Sequence, residues 1–165
     1  MNGLRRYWIP VVVFVFLVGS ILAAAPKTQA AAAPPVSTLV AIRAAYHPEA
    51  TPRYDRVVFQ FSGPVPLIEA QYVNKLIGDA SGLPVKISGN VILQLTMRPA
   101  QAHNDQGRST APTRIKFGLR NVKEVASAGD FESVLTYGIG LAHKSEIRVM
   151  TLAQPSRVVV DFLNP

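Results

Sequence analysis

The sequence predicts an all-β fold: a small sandwich of short, mostly antiparallel strands after an N-terminal appendage. Three observations carry this reading. From residue 36 onward apolar residues recur at alternate positions, the period of a strand with one buried face. The alternating stretches are short and separated by Gly, Pro, Asn and Ser turns. No helix-length amphipathic segment competes, since the best candidate, residues 72–77, is too short.

The elements follow in order. Leu39, Ala41 and Arg43 alternate with Val40, Ile42 and Ala44 in the first strand. Residues 55–61 are β-branched and aromatic, set Val57, Phe59 and Phe61 on one face, and stop at Ser62-Gly63-Pro64. Residues 67–73 form a third strand, and residues 85–87 a short one closed by Ser88-Gly89-Asn90. Val91, Leu93, Leu95 and Met97 alternate with Ile92, Gln94, Thr96 and Arg98. Residues 99–112 are small and polar and predict a loop, while residues 115–119 predict a strand or an irregular bridge. Residues 122–128 are apolar at alternate sites, and Gly129-Asp130 signals a turn. Residues 134–141 hold Gly138 and Gly140, which predicts a strand with a bulge or a close backbone approach. Residues 147–152 and 157–162, joined at Gln154-Pro155-Ser156, are the last two strands.

Residues 1–33 read differently. Arg5 and Arg6 precede an apolar run from Tyr7 to Ala25, and an Ala/Pro stretch follows through Pro35. A basic start, an apolar middle and small residues at the end form the signal-peptide pattern, with cleavage expected after Ala30 or Ala32. The alternative is an uncleaved anchor, because the run is about as long as the shortest spanning helix. Either way the basic residues keep the N-terminus inside and the domain at residues 36–165 is exported. The twin-arginine reading of Arg5-Arg6 has poor flanking residues. Location is therefore expected to be periplasmic, extracellular or wall-associated, with membrane contact only through the N-terminal segment.

Composition excludes several classes. The chain has 165 residues and no cysteine, so acylation as a lipoprotein, disulfides and thiolate chemistry are all ruled out. About 130 residues after the leader suffice for one independent core. Formal net charge is +7, and without Arg5, Arg6 and Lys27 it is 14 basic against 10 acidic residues, or about +4. No Lys/Arg run clusters in the sequence, so no nucleic-acid partner is expected. A modest positive charge suits an anionic wall or membrane surface.

A family resemblance emerges from several segments taken together. They are Tyr54-Asp55-Arg56-Val57-Val58-Phe59-Gln60-Phe61, the stretch from Val91 to His103, Gly129-Asp130-Phe131-Glu132, and Gly138-Ile139-Gly140-Leu141. The closing Pro155-Ser156-Arg157-Val158-Val159-Val160-Asp161-Phe162 completes the set. In this order, across residues 38–163, the chain resembles the AMIN-like domains of exported bacterial proteins. Its closing strand also looks like the end of the AMIN domain proper. The resemblance implies a compact β-sandwich of the cell envelope. AMIN domains proper target wall amidases and secretion or pilus components to the periplasm or peptidoglycan. No residue-level binding motif is carried over.

Candidate chemistry is sparse. His47, His103 and His143 match no metal-ligand spacing and each lies beside loop residues, so no metal site is expected. Asp130 and Glu132 flank Phe131 and would share a side if extended, as an acid–base pair requires, but acidic residues are common beside a Gly turn. No Gly-x-Ser-x-Gly elbow occurs. Gly138-Ile139-Gly140 lacks the third glycine and the following helix of a nucleotide fingerprint. No catalytic residue and no cofactor are expected. Arg157 and Asp161, four apart in one strand, and Asp55-Arg56 predict structural cross-strand charge pairs.

The candidate ligand-binding residues are His103 and Asp105 in the polar loop, Asp130 and Phe131 at the expected turn, and Tyr137 beside the strand glycines. The domain has no tryptophan, since Trp8 is in the leader, so tyrosines are its remaining sugar-stacking rings. The expected function is an exported, non-catalytic envelope module that binds peptidoglycan or another envelope polymer. The alternatives are an interaction module for an envelope protein and an unrecognised hydrolase.

Overall fold

A computed structural model describes residues 34–164; the expected leader, residues 1–33, lies outside them. The described chain is a sandwich of two five-stranded sheets. Ten strands occur in order: β1 (Ser37–His47), β2 (Tyr54–Ser62), β3 (Leu67–Val73), β4 (Val91–Arg98), β5 (Ala100–Gln101), β6 (Arg114–Lys116), β7 (Val122–Phe131), β8 (Val134–Leu141), β9 (Ile147–Ala153) and β10 (Ser156–Leu163). The first sheet runs β5-β1-β2-β10-β9 and the second β3-β4-β8-β7-β6. Among the described residues only the short β1–β5 pairing is parallel. The all-β expectation holds.

Alternation decides which side chains fill the core. In β2, Asp55, Val57, Phe59 and Phe61 are buried, while Tyr54, Arg56, Val58 and Gln60 face outward. Val158, Val160 and Phe162 of β10 join the same core, opposite Leu93, Leu95 and Met97 of β4 and Leu135, Tyr137, Ile139 and Leu141 of β8. Each fully buried aliphatic or aromatic side chain contributes about 1.5–3 kcal/mol. Because β1 and β10 both run antiparallel to β2, β1 starts beside Ser62 and β10 finishes beside Tyr54, at opposite ends of the first sheet.

One buried acid ties the layers together. Asp55 is wholly inaccessible, and its Oδ2 accepts the backbone N–H groups of Asn121 (2.7 Å) and Val122 (2.8 Å) in the facing layer. Its Oδ1 accepts the Asn164 side-chain amide at 3.3 Å. These bonds join β2, the start of β7 and the chain end.

The outer face of the second sheet is covered by its own chain. Residues 74–90 form a strap across β7 and β8, bonded through Asp79 N–H to Ala128 O (2.8 Å) and Asn90 N–H to Leu141 O (2.7 Å). Gly138 and Gly140 make room for it. A Cβ on Gly138 would stand 2.4 Å from the Leu76 side chain, and one on Gly140 would stand 1.9 Å from the Ser88 carbonyl oxygen. Glu124, buried beneath the strap, accepts the Ser88 N–H at 2.6 Å and a guanidinium N–H from Arg114. Burial pushes the Glu124 carboxyl up, but these bonds and the Arg114 charge outweigh it and hold it below its ordinary value.

Several local expectations are corrected. Residues 85–87 are not a strand but part of the strap, where the isolated bridge Ile77–Pro84 closes a turn. Gly129-Asp130 is not the turn: β7 runs on to Phe131, with a register shift between Ser127 and Gly129, and the hairpin turns at Glu132 (φ 48°) and Ser133 (φ 60°). Glu132 therefore does not share an extended face with Asp130. Residues 134–141 carry no register shift in their pairing with β4, and their glycines serve the close approach of the strap. The expected cross-strand charge pairing, by contrast, is found: Arg56 of β2 and Asp161 of β10 stand directly opposite each other and are joined by two bonds of 2.6 and 2.8 Å.

Candidate functional site

The sequence candidates divide into three places. His103 and Asp130 meet: His103 Nδ1 lies 2.7 Å from Asp130 Oδ2, which also accepts the Ala102 N–H at 3.0 Å. Asp130 sits opposite Leu135 in the β7–β8 ladder, and its Oδ1 is buried with no hydrogen-bond partner among the described residues. Asp105 stands apart, exposed at the tip of a tight loop. That loop is closed by the His103–Ser109 bridge and by Asn104 Oδ1, which accepts N–H groups from Gln106 (3.1 Å) and Arg108 (2.9 Å). Phe131, 69% exposed, projects from the β7–β8 hairpin.

Tyr137 is elsewhere again, in the core. It is 1% exposed, packs edge-on against Phe59 at 5.7 Å, and its hydroxyl donates to Pro112 O at 3.0 Å. No sugar can stack on it. Burial, and then the Asp130 charge, push its hydroxyl up to about 12. The unfolded phenol ionises near 10, so this stabilisation is complete below about pH 10 and is lost as pH rises towards about 12. Tyr137→Phe is expected to cost about 1–3 kcal/mol at neutral pH, because Pro112 O loses its donor. Urea midpoints from pH 7 to 11.5 should show the gap between the two proteins narrowing above pH 10; a constant gap would refute the assignment.

The His103–Asp130 pair orients an imidazole, as a catalytic base requires. Among the described residues, however, no hydroxyl bonds its Nε2, and no group of three or more His, Cys, Asp or Glu could hold a metal. The pair fastens the 99–112 loop to the end of β7.

A different surface gathers charge. On the outer face of the first sheet a depression of about 370 Å³ is lined by side chains of β1, β2, β9 and β10. Arg43, Arg56 and Arg157 stand around an apolar floor that includes Val58, Val159 and Leu152, and among the described residues no carboxylate lines it. Strand register explains the grouping. Arg43 is opposite Val58, Val58 opposite Val159, and Gln60 lies between Ala41 and Arg157. Arg56 is spoken for by the buried Asp161. Arg43 donates to Gln60 Oε1 at 2.6 Å, and Arg157 bonds only a nearby backbone carbonyl, Pro155 O, at 3.3 Å.

Sequence reasoning missed this face, because its arginines are single residues on three strands and form no run. The readable signal was their outward register in β1, β2 and β10, which needs the sheet order.

The model of the AMIN-like domain matches residues 37–164, from the first residue of β1 to the end of the described chain. The chain belongs to the AMIN-like domain family. No curated protein and no solved structure matches it. Membership indicates an envelope-associated module, and AMIN-like domains are in general non-catalytic binding modules. Among the described residues, no helix of this AMIN-like domain is long and apolar enough to cross a membrane.

Proposed function

We propose that this protein is an exported, non-catalytic module that binds a cell-wall or surface polymer through the outer face of its first sheet. The observation that carries the reading is the arginine-lined depression with an apolar floor and no lining carboxylate. Family membership supports the envelope setting. The N-terminal basic-apolar pattern supports export. The broad, shallow form of the face suits an extended polymer better than a small substrate, which is usually enclosed.

The test is retention on insoluble peptidoglycan sacculi in low and in moderate salt, using the full chain recovered from the envelope in mild detergent. Retention that survives moderate salt is expected. Retention at low salt alone reduces the effect to net charge.

Complete failure to bind overturns the reading and favours a protein partner. One observation supports that second reading. Leu67 lies opposite Arg98 in the β3–β4 ladder, and Phe131 opposite Val134 in the β7–β8 ladder, both in the second sheet. Leu67 (75%) and Phe131 (69%) are open to solvent. Exposed apolar side chains of this size suit protein contacts where they gather in a patch.

A further inference from the structure

Resting on the wall-polymer reading, we infer that the depression on the first sheet is an oxyanion clamp, so that the polymer it takes is acidic: a chain bearing phosphate or carboxylate groups, held between Arg43 and Arg157. Of the three lining arginines, Arg56 is neutralised by Asp161, whose side chain is 2% exposed. Arg43 and Arg157 have no carboxylate partner among the described residues. They stand on β1 and β10, on either side of β2, two inter-strand spacings apart and two residues out of step along the strands, or about 12 Å at the backbone. Guanidinium arms are long enough to reach across that distance to a single anionic group, Arg43 leaving Gln60 Oε1 and Arg157 leaving Pro155 O as they do so.

Gln60 completes the set. Its Oε1 is taken by Arg43, which turns its amide nitrogen into the donor it has to offer, directly beside Arg157. The lining thus presents the fixed positive charge of its arginines around Val58 and Val159, with the Gln60 amide beside it in the ladder, an arrangement complementary to an oxyanion on an extended chain.

The aromatic side chains argue against recognition of neutral sugar faces. Tyr137 is buried. Tyr54 is stacked with His47 at 4.6 Å and has the Arg56 guanidinium 5.0 Å from its centre. Tyr46 is engaged by Arg120 at 5.1 Å, and Tyr72 by Lys144 at 5.1 Å. Phe131, with its ring open, belongs to a hairpin of the other sheet. Among the described residues no tyrosine or phenylalanine ring lines the depression, and the His47 imidazole that does is already stacked on Tyr54, so charge is its means of recognition.

The experiment compares binding of the full chain, recovered from the envelope in mild detergent, to polyphosphate, poly-L-glutamate, neutral chitin oligosaccharides and whole sacculi. Two double variants are run beside it: Arg43→Gln/Arg157→Gln in the clamp, and Lys75→Gln/Lys116→Gln, which removes the same charge from the other sheet's side. All four residues are exposed apart from a half-buried Arg157, and thermal melting verifies that each variant folds. At moderate salt the clamp variant should lose at least about tenfold in affinity for a polyanion, the least expected for one charge-assisted hydrogen bond, while the control stays within about twofold. Binding to polyphosphate alone assigns a phosphate polymer, and binding to poly-L-glutamate alone a carboxylate one. Equal losses in both variants overturn the clamp in favour of net charge. Sacculi and chitin retained without either polyanion overturn the acidic ligand but leave wall binding standing. Sacculi not retained at all overturn the wall reading itself.

Discussion

Asp55→Ala is expected to destabilise the domain by about 3–5 kcal/mol, because it strands two buried N–H donors as well as removing a charged acceptor. The Asn121 and Val122 N–H groups face a carboxylate that water does not reach. Alanine offers them nothing, and the cavity left behind is too enclosed for easy repair. A loss of that size is a large share of the about 5–15 kcal/mol that holds a typical domain together. Asp55→Asn keeps one oxygen as acceptor and should fall between the two. Urea denaturation measures both. A cost below about 1 kcal/mol for Asp55→Ala would mean that the layers are joined without this carboxylate.

Gly140→Ala should be the other severe single change. Its added carbon would meet a backbone atom, the Ser88 carbonyl oxygen, so no side chain can rotate away. Overpacking costs about 1–3 kcal/mol, and the upper end applies here because the strap must lift. Lifting it also withdraws the Ser88 N–H from the buried Glu124 carboxylate. Limited proteolysis should then cut within residues 74–90, which the native strap protects. Gly118→Ala is the control: nothing lies within 4 Å of the carbon it adds, and the change should stay within about 0.5 kcal/mol. Equal stability of the two variants would show that the strap is not seated against β8.

Most strands were legible because their alternation is driven by burial on one side. Residues 55–61 and 91–98 show it plainly, with Val57, Phe59 and Phe61 and then Leu93, Leu95 and Met97 inward. The misreadings have specific physical causes. Gly129 signals a turn by its freedom from a side chain, but here that freedom admits Asp79 of the strap, whose carboxylate oxygen is 1.7 Å from where a Cβ would be. The true turn uses Glu132 and Ser133 at positive φ, a conformation more typical of Gly or Asn. Residues 85–87 have strand composition because they pack on a sheet face, not because they pair within one.

The site was legible only in pieces. His103 and Asp130 were named separately, and the fold brings them within 2.7 Å. Tyr137 carries a hydroxyl that suits a surface, yet its ring is buried and the hydroxyl is taken by the backbone carbonyl of Pro112. Arg43 and Arg157 are more than a hundred positions apart. Their juxtaposition depends on β10 lying next to β2, a long-range pairing that no local window contains.

The opposed ends of β1 and β10 have a mechanical consequence. A pull applied at Ser37 and resisted at Asn164 runs along the strands of the first sheet. The ladders between β1 and β2, and between β2 and β10, then lie crosswise to the force and carry it jointly. Such a clasp yields only when many bonds break at once, whereas a hairpin peeled from its tip surrenders them singly. A domain loaded in this way between a fixed point and a polymer would transmit tension without opening.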